Sequence, residues 1–196
     1  MSTPSTHAVF EARHRRFSGR LWRESRGSQL AELALVLPIL LLFIAGISDF
    51  ATAFNTRQIL NNAAREGARL GASESPLDLY AGGTPPSIAG ISDVVQNYLT
   101  DGGLQYTNAG VGPCTFVAPP TQVNLQFTFA STCPNVSLVI DRAYTTISGD
   151  GVTRIQSTHV TITYPYHWYM VRVFGLRLIF RLPVTLSSDA VMQNTP

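Results

Sequence analysis

The sequence contains no lysine, and only 13% of its residues are charged, against about 25% in an average soluble domain. The basic residues are fourteen arginines, unevenly distributed. Residues 1–27 hold six of them against Glu11 and Glu24, a net of +4, and the remainder holds eight against ten carboxylates, a net of −2. A nucleic-acid partner calls for a basic patch on the folded part. Here the tail is basic and the rest slightly acidic, so no nucleic-acid partner is expected.

Catalytic signatures are also missing. There is no G-x-S-x-G, P-loop, H-E-x-x-H, or G-x-G-x-x-G in a strand–helix context. Of four histidines, His7 and His14 lie near the N-terminus, and His159 and His167 stand eight apart with no acidic residue between them. Asp141 and Asp150, near Arg142, read as turn and surface charges, and Gly82 to Pro86 is loop punctuation. No enzyme activity, metal or cofactor is expected. Only two cysteines are present, Cys114 and Cys133. They cannot make a four-ligand zinc site alone and form no C-x-x-C. Outside the cytoplasm a disulfide is their natural reading, the alternative being two buried thiols. It would close a loop of about 20 residues and contribute roughly 3 kcal/mol.

What the sequence does have is a long apolar run. Leu33 to Ile47 is unbroken, and extending it back to Leu30 gives 18 residues whose only charge is Glu32. At 1.5 Å per residue this spans about 27 Å, close to the hydrocarbon thickness of a bilayer. Eleven of the fifteen core positions are Leu, Ile, Val or Phe, worth together about −3 to −7 kcal/mol on the insertion scale. A carboxylate at the helix centre costs roughly +3 and less near the end, where Glu32 lies. Pro38 is tolerable in a membrane helix. Arg13, Arg15, Arg16, Arg20, Arg23 and Arg26 precede the span, so the positive-inside rule keeps the N-terminus cytoplasmic. The expected location is the cytoplasmic (inner) membrane, with a single pass and the C-terminal domain outside.

The helical pattern continues past the span. Phe50, Ala53, Phe54, Ile59, Leu60, Ala63, Ala64 and Ala68 recur at threes and fours, and Ser75-Pro76 reads as a stop. A helix over 28–73 would be roughly 69 Å long, apolar all round in its first half and amphipathic in its second. Ala64, Gly67, Ala68 and Gly71 put small residues on one side, where another element can come close: the protein's own sheet, or a neighbouring subunit's helix.

Three readings fit the N-terminus. One is a secretory signal peptide with Ala51-Thr52-Ala53 as its small-x-small site. The helical pattern running through Ala53 weighs against it. A plain uncleaved signal anchor leaves Glu32 without a role. The favoured reading is a class III-type prepilin leader, cut between Gly27 and Ser28. A small residue before the bond lets the backbone approach a peptidase closely. The cut makes Glu32 the fifth residue of the mature chain, where its carboxylate can pair with a neighbouring subunit's N-terminal ammonium and fix assembly register.

Gly27-Ser28-Gln29-Leu30-Ala31-Glu32-Leu33-Ala34-Leu35-Val36-Leu37-Pro38, then Ser48-Asp49-Phe50, then Arg57 through the run Asn62-Ala63-Ala64-Arg65-Glu66-Gly67-Ala68-Arg69, resembles the TadE-like family, pseudopilins of tight-adherence (Tad/Flp) pili. The strong match covers about 27–70. Weaker likeness returns at Val160 to Tyr166 and Leu186 to Met192. The resemblance implies processing by a prepilin peptidase, association with other pilin-like subunits and the pilus assembly platform, and a role in assembling a Tad/Flp-type pilus or related secretion pseudopilus. The other function considered is a signal-anchored envelope protein whose outer sheet is a binding module.

The rest reads as α+β. Ser87 to Leu99 is a predicted short helix capped by Ser87 or Ser92 and ended by Asp101-Gly102-Gly103. Period-two alternation predicts strands at Val123–Phe129, Val136–Ile140, Val152–Tyr164 and Val184–Met192, with Gly149-Asp150-Gly151 as a turn. The expected architecture is pilin-like: a long N-terminal transmembrane and amphipathic helix on a small antiparallel sheet with one wet face. Three parts follow: a leader (1–27), the helix (28–73) and an extracytoplasmic domain (74–196). His167 to Arg181, aromatic with interspersed arginines, reads as an inter-strand connection packed on the helix, or alternatively as a membrane-surface or partner contact.

Overall fold

The computed structural model describes residues 25–80, 82–104, 114–147, 149, 151–168 and 184–194. Helix α1 covers Ser25–Ser73, with Pro38 inside it. A 3-10 turn follows at Pro76–Tyr80 and helix α2 at Pro86–Asp101. Five strands complete the chain: β1 Phe116–Val123, β2 Gln126–Ser131, β3 Ser137–Ile147, β4 Arg154–Tyr166 and β5 Val184–Gln193. They form one antiparallel meander in chain order. The boundary between two compact units falls between Phe43 and Ile44, inside α1.

In the first unit the side chains of α1 from Gln29 onward are exposed all round. In the second, α1 packs on one face of the sheet. Its stripe of Leu60, Ala63, Ala64 and Ala68 has no exposed area, and neither have Ile88, Ile91 and Val95 of α2. They close on Phe127, Phe129, Leu138, Ile140, Val160, Ile162 and Tyr164, the inward row of β2, β3 and β4. The alternation follows from the strand period, which sends every second side chain to the same face. The predicted inward row Val160, Ile162 and Tyr164 is found buried as expected.

Three local features differ from the sequence reading. The alternation over Val123–Phe129 is not one strand. Asn124 adopts a positive φ of 55° and, with Leu125, makes the two-residue turn between β1 and β2, with Val123 opposite Gln126. Asn tolerates this left-handed conformation, and period-two alternation carries straight through a two-residue turn. Helix α2 has no serine cap. Pro86 begins it, where a missing N–H costs nothing, and the Asp78 carboxylate in the 3-10 turn accepts from the Ser87 N–H (2.8 Å) and hydroxyl (3.0 Å). Third, Phe50 and Phe54 obey the helical spacing of the amphipathic half but stand outside the core, on the exposed side of α1.

In β3, Asp141 faces His159 and Tyr144 faces Ser157, so Arg142 and Ala143 share a place opposite Thr158. This bulge re-aims the strand. Arg142 points inward at 2% exposure, and Tyr144 beyond it stands on the outer face, its ring 4.6 Å from that of His159.

Candidate functional site: the long helix and its seat

The Gly27–Ser28 bond lies in the first turn of α1. The first four N–H groups of a helix have no intrahelical acceptor, so opening that turn to expose the bond breaks few hydrogen bonds. Glu32 follows one turn later and is exposed, flanked by the exposed side chains of Leu30, Leu33 and Leu35. Among the described residues α1 is the one helix long and apolar enough to cross a membrane.

The small residues of α1 are placed against the protein's own elements. Ala64 and Ala68 are fully buried. A methyl added at Gly67 would stand 2.8 Å from Val95 Cγ2, 3.4 Å from Ile91 Cγ2 and 3.6 Å from Val160 Cγ1. At Gly71 it would stand 2.7 Å from Thr158 Cγ2 and 2.9 Å from Ile91 Cδ1. Each glycine thus admits both α2 and β4 to the helix backbone, an approach that a side chain would block. The contrast with Gly46 is complete, since nothing lies within 4 Å of a methyl placed there.

Polar ties fix the helix along the sheet. Arg142 donates through Nη1 to the Gly71 carbonyl and through Nη2 to the Glu74 carbonyl (2.9 Å). The last carbonyls of a helix lack intrahelical donors and carry the negative end of its dipole, so a cation there satisfies both. Burial pushes the Arg142 guanidinium below its ordinary value, and the charges of Asp78 and Glu74 act in the opposite direction. Sequence reasoning gave this residue no such role, because the bulge that turns it inward has no composition signal. Further along, the Ser188 hydroxyl donates to Asn61 Oδ1. At the far end the Tyr166 hydroxyl donates to the Asp49 carbonyl (3.0 Å) and lies 2.6 Å from the Thr52 hydroxyl.

Cys114 and Cys133 form a disulfide, with Cα atoms 5.3 Å apart. It joins the chain just before β1 to the β2–β3 connection. Gln96 of α2 pins the same place, donating to the Cys114 carbonyl (2.8 Å) and accepting from the Phe116 N–H (3.1 Å). The His159 ring lies 3.5 Å from Asp189 on the outer face, and no metal-holding cluster occurs among the described residues. Asp141 accepts from the Ala143 N–H (2.9 Å) within the bulge. Asp150 lies outside the described residues, as does 169–181 of the aromatic segment, whereas His167 and Trp168 are described.

A long helix whose second half packs on an antiparallel meander defines an α+β architecture. Residues 27–69 match the family model of TadE-like protein. No curated protein and no solved structure matches the chain.

Proposed function

We propose that this chain is a TadE-like pseudopilin, a minor pilin-like subunit that acts in assembly of a Tad/Flp-type pilus or a related secretion pseudopilus. The observation that carries this reading is the order along α1: Gly27-Ser28, then Glu32, then an apolar stretch whose large side chains are exposed, then a half seated on the sheet. In this reading α1 crosses the cytoplasmic membrane once, leader inside and sheet outside. The Cys114–Cys133 disulfide supports the outside placement, because disulfides persist in oxidising compartments. A prepilin peptidase cuts between Gly27 and Ser28, leaving Ser28 as the new N-terminus. Glu32 then pairs with the terminal ammonium of an adjacent pilin-like subunit, an interaction strengthened by the low dielectric around it. The apolar half of α1 packs against other such helices, first in the bilayer and then in the assembly.

The test is N-terminal sequencing and intact mass of membrane-extracted protein. A start at Ser28 is expected, and a start at Met1 or Phe54 sinks the reading. Glu32→Ala should leave membrane insertion intact and impair pilus assembly. Unchanged piliation would remove the pairing role from Glu32.

A further inference from the structure

The apolar run ends at Ile47, but the apolar surface does not. Ile47, Phe50 and Phe54 share one face of α1 at helical spacing and are 68%, 70% and 64% exposed. At the same level another side of the helix is occupied, with Asp49 and Thr56 buried and Tyr166 tied to Asp49 and Thr52. Trp168 follows the end of β4 by two residues. Its ring meets Phe50 with centroids 5.6 Å apart and Tyr166 with centroids 5.4 Å apart, edge to face in both cases. Three rings from two elements thus cluster just past the last residue of the apolar run. Tyr166 is buried and Trp168 half-buried, while Phe50 stays exposed in spite of its ring contact, so the cluster opens outward at Phe50.

Depth along the helix says what covers it. The polar layer on each side of the hydrocarbon is about 5–7 Å thick. With 1.5 Å of rise per residue, Phe50 stands about 4.5 Å beyond Ile47 and Phe54 about 10 Å beyond it. Phe50, with the indole held against its edge, therefore falls inside this layer when Ile47 closes the span, and Phe54 falls beyond it. Trp and Tyr prefer that layer, since each combines an apolar ring with a polar tip.

We propose that Phe50, Tyr166 and Trp168 form an aromatic collar that seats the sheet-bearing unit on the lipid headgroup layer at the outer face of the membrane. Phe50 and Trp168 meet the lipid, and Tyr166 fastens them to the helix backbone. The collar rests on the reading of α1 as a membrane span with the sheet outside. It adds a stop that fixes how far the helix enters the bilayer.

Trp22 and Trp168 are the two tryptophans of the chain, so Trp22→Phe leaves Trp168 as the sole indole fluorophore. The full-length variant is reconstituted into phosphatidylcholine–phosphatidylglycerol vesicles that carry lipids brominated either near the glycerol backbone or near the chain ends. Shallow bromine should quench Trp168 roughly twofold more than deep bromine, as expected for an interfacial indole. The same vesicles are extracted with alkaline carbonate. Protein released by carbonate overturns the span and the collar together. Protein retained with Trp168 unquenched by both lipids overturns the collar alone and gives the rings to a protein partner. Stronger quenching by the deep lipid also overturns it.

Discussion

Two stretches of one helix obey opposite rules. Between Leu30 and Ile47 α1 is built of large apolar side chains, and they stand in the open. Between Leu60 and Ala72 its inward stripe is built largely of alanine and glycine, and that stripe is sealed. Large side chains give the first stretch apolar area that the described residues leave uncovered. Small ones give the second stretch close approach, which lets α2 and β4 supply the area instead. The difference teaches that residue size along a helix can report whose surface completes it.

This contrast can be broken most strongly at matched leucines. Leu60→Ala should destabilise the sheet-bearing unit by about 2–5 kcal/mol, the cost of a core cavity, in denaturant unfolding followed by circular dichroism in micelles. Leu40→Ala should leave the same transition within about 0.5 kcal/mol. Equal losses at both positions would erase the distinction. Next in size, Cys114→Ser should cost roughly 3 kcal/mol through the released loop, and chemical reduction of the native protein should reproduce that shift. Third, Gly71→Ala should destabilise, because about 1–3 kcal/mol of overpacking against Thr158 and Ile91 exceeds the gain of about 1 kcal/mol in helix propensity. Gly46→Ala should keep that gain, since no atom meets its methyl, and melting temperatures of the two variants should move in opposite directions. Smallest, Tyr166→Phe removes hydrogen bonds at the junction of the two stretches and should cost about 1 kcal/mol. Hydrogen exchange near Asp49 should rise, with little change near Gly71.

The sequence made the helix, its stop before Pro76, the inward row of β4 and the disulfide partners legible. Each rests on a local period or on a count, which one chain displays by itself. Other features depend on elements distant in sequence. The cap of α2 comes from Asp78, outside the helix and invisible to a search for Ser87 or Ser92 as caps. Arg142 looks like an ordinary strand charge until the bulge opposite Thr158 turns it inward. Phe50 and Phe54 keep the helical spacing of a core stripe, but spacing does not say which face of a helix meets the sheet. The TadE-like signature was readable over about 27–70, where the apolar run and the Asn62–Arg69 run fall in order, and the family model matches 27–69. The ring cluster was not, since its members come from α1 and from the end of β4, more than a hundred residues away.

The antiparallel course of β4 along α1 has a mechanical consequence. Thr158 lies by Gly71, Val160 by Gly67, and Tyr166 by Asp49, while Arg142 holds the terminal carbonyls. A pull along the helix axis at its N-terminal end is directed along this row of attachments, so they bear load together in shear and are not peeled one after another. The same attachments pulled perpendicular to the helix at Ser73 would open in succession, starting with the guanidinium. The unit should therefore resist an axial pull on the helix with one large force peak and yield to a perpendicular pull in smaller steps, a difference that single-molecule pulling in the two directions would record.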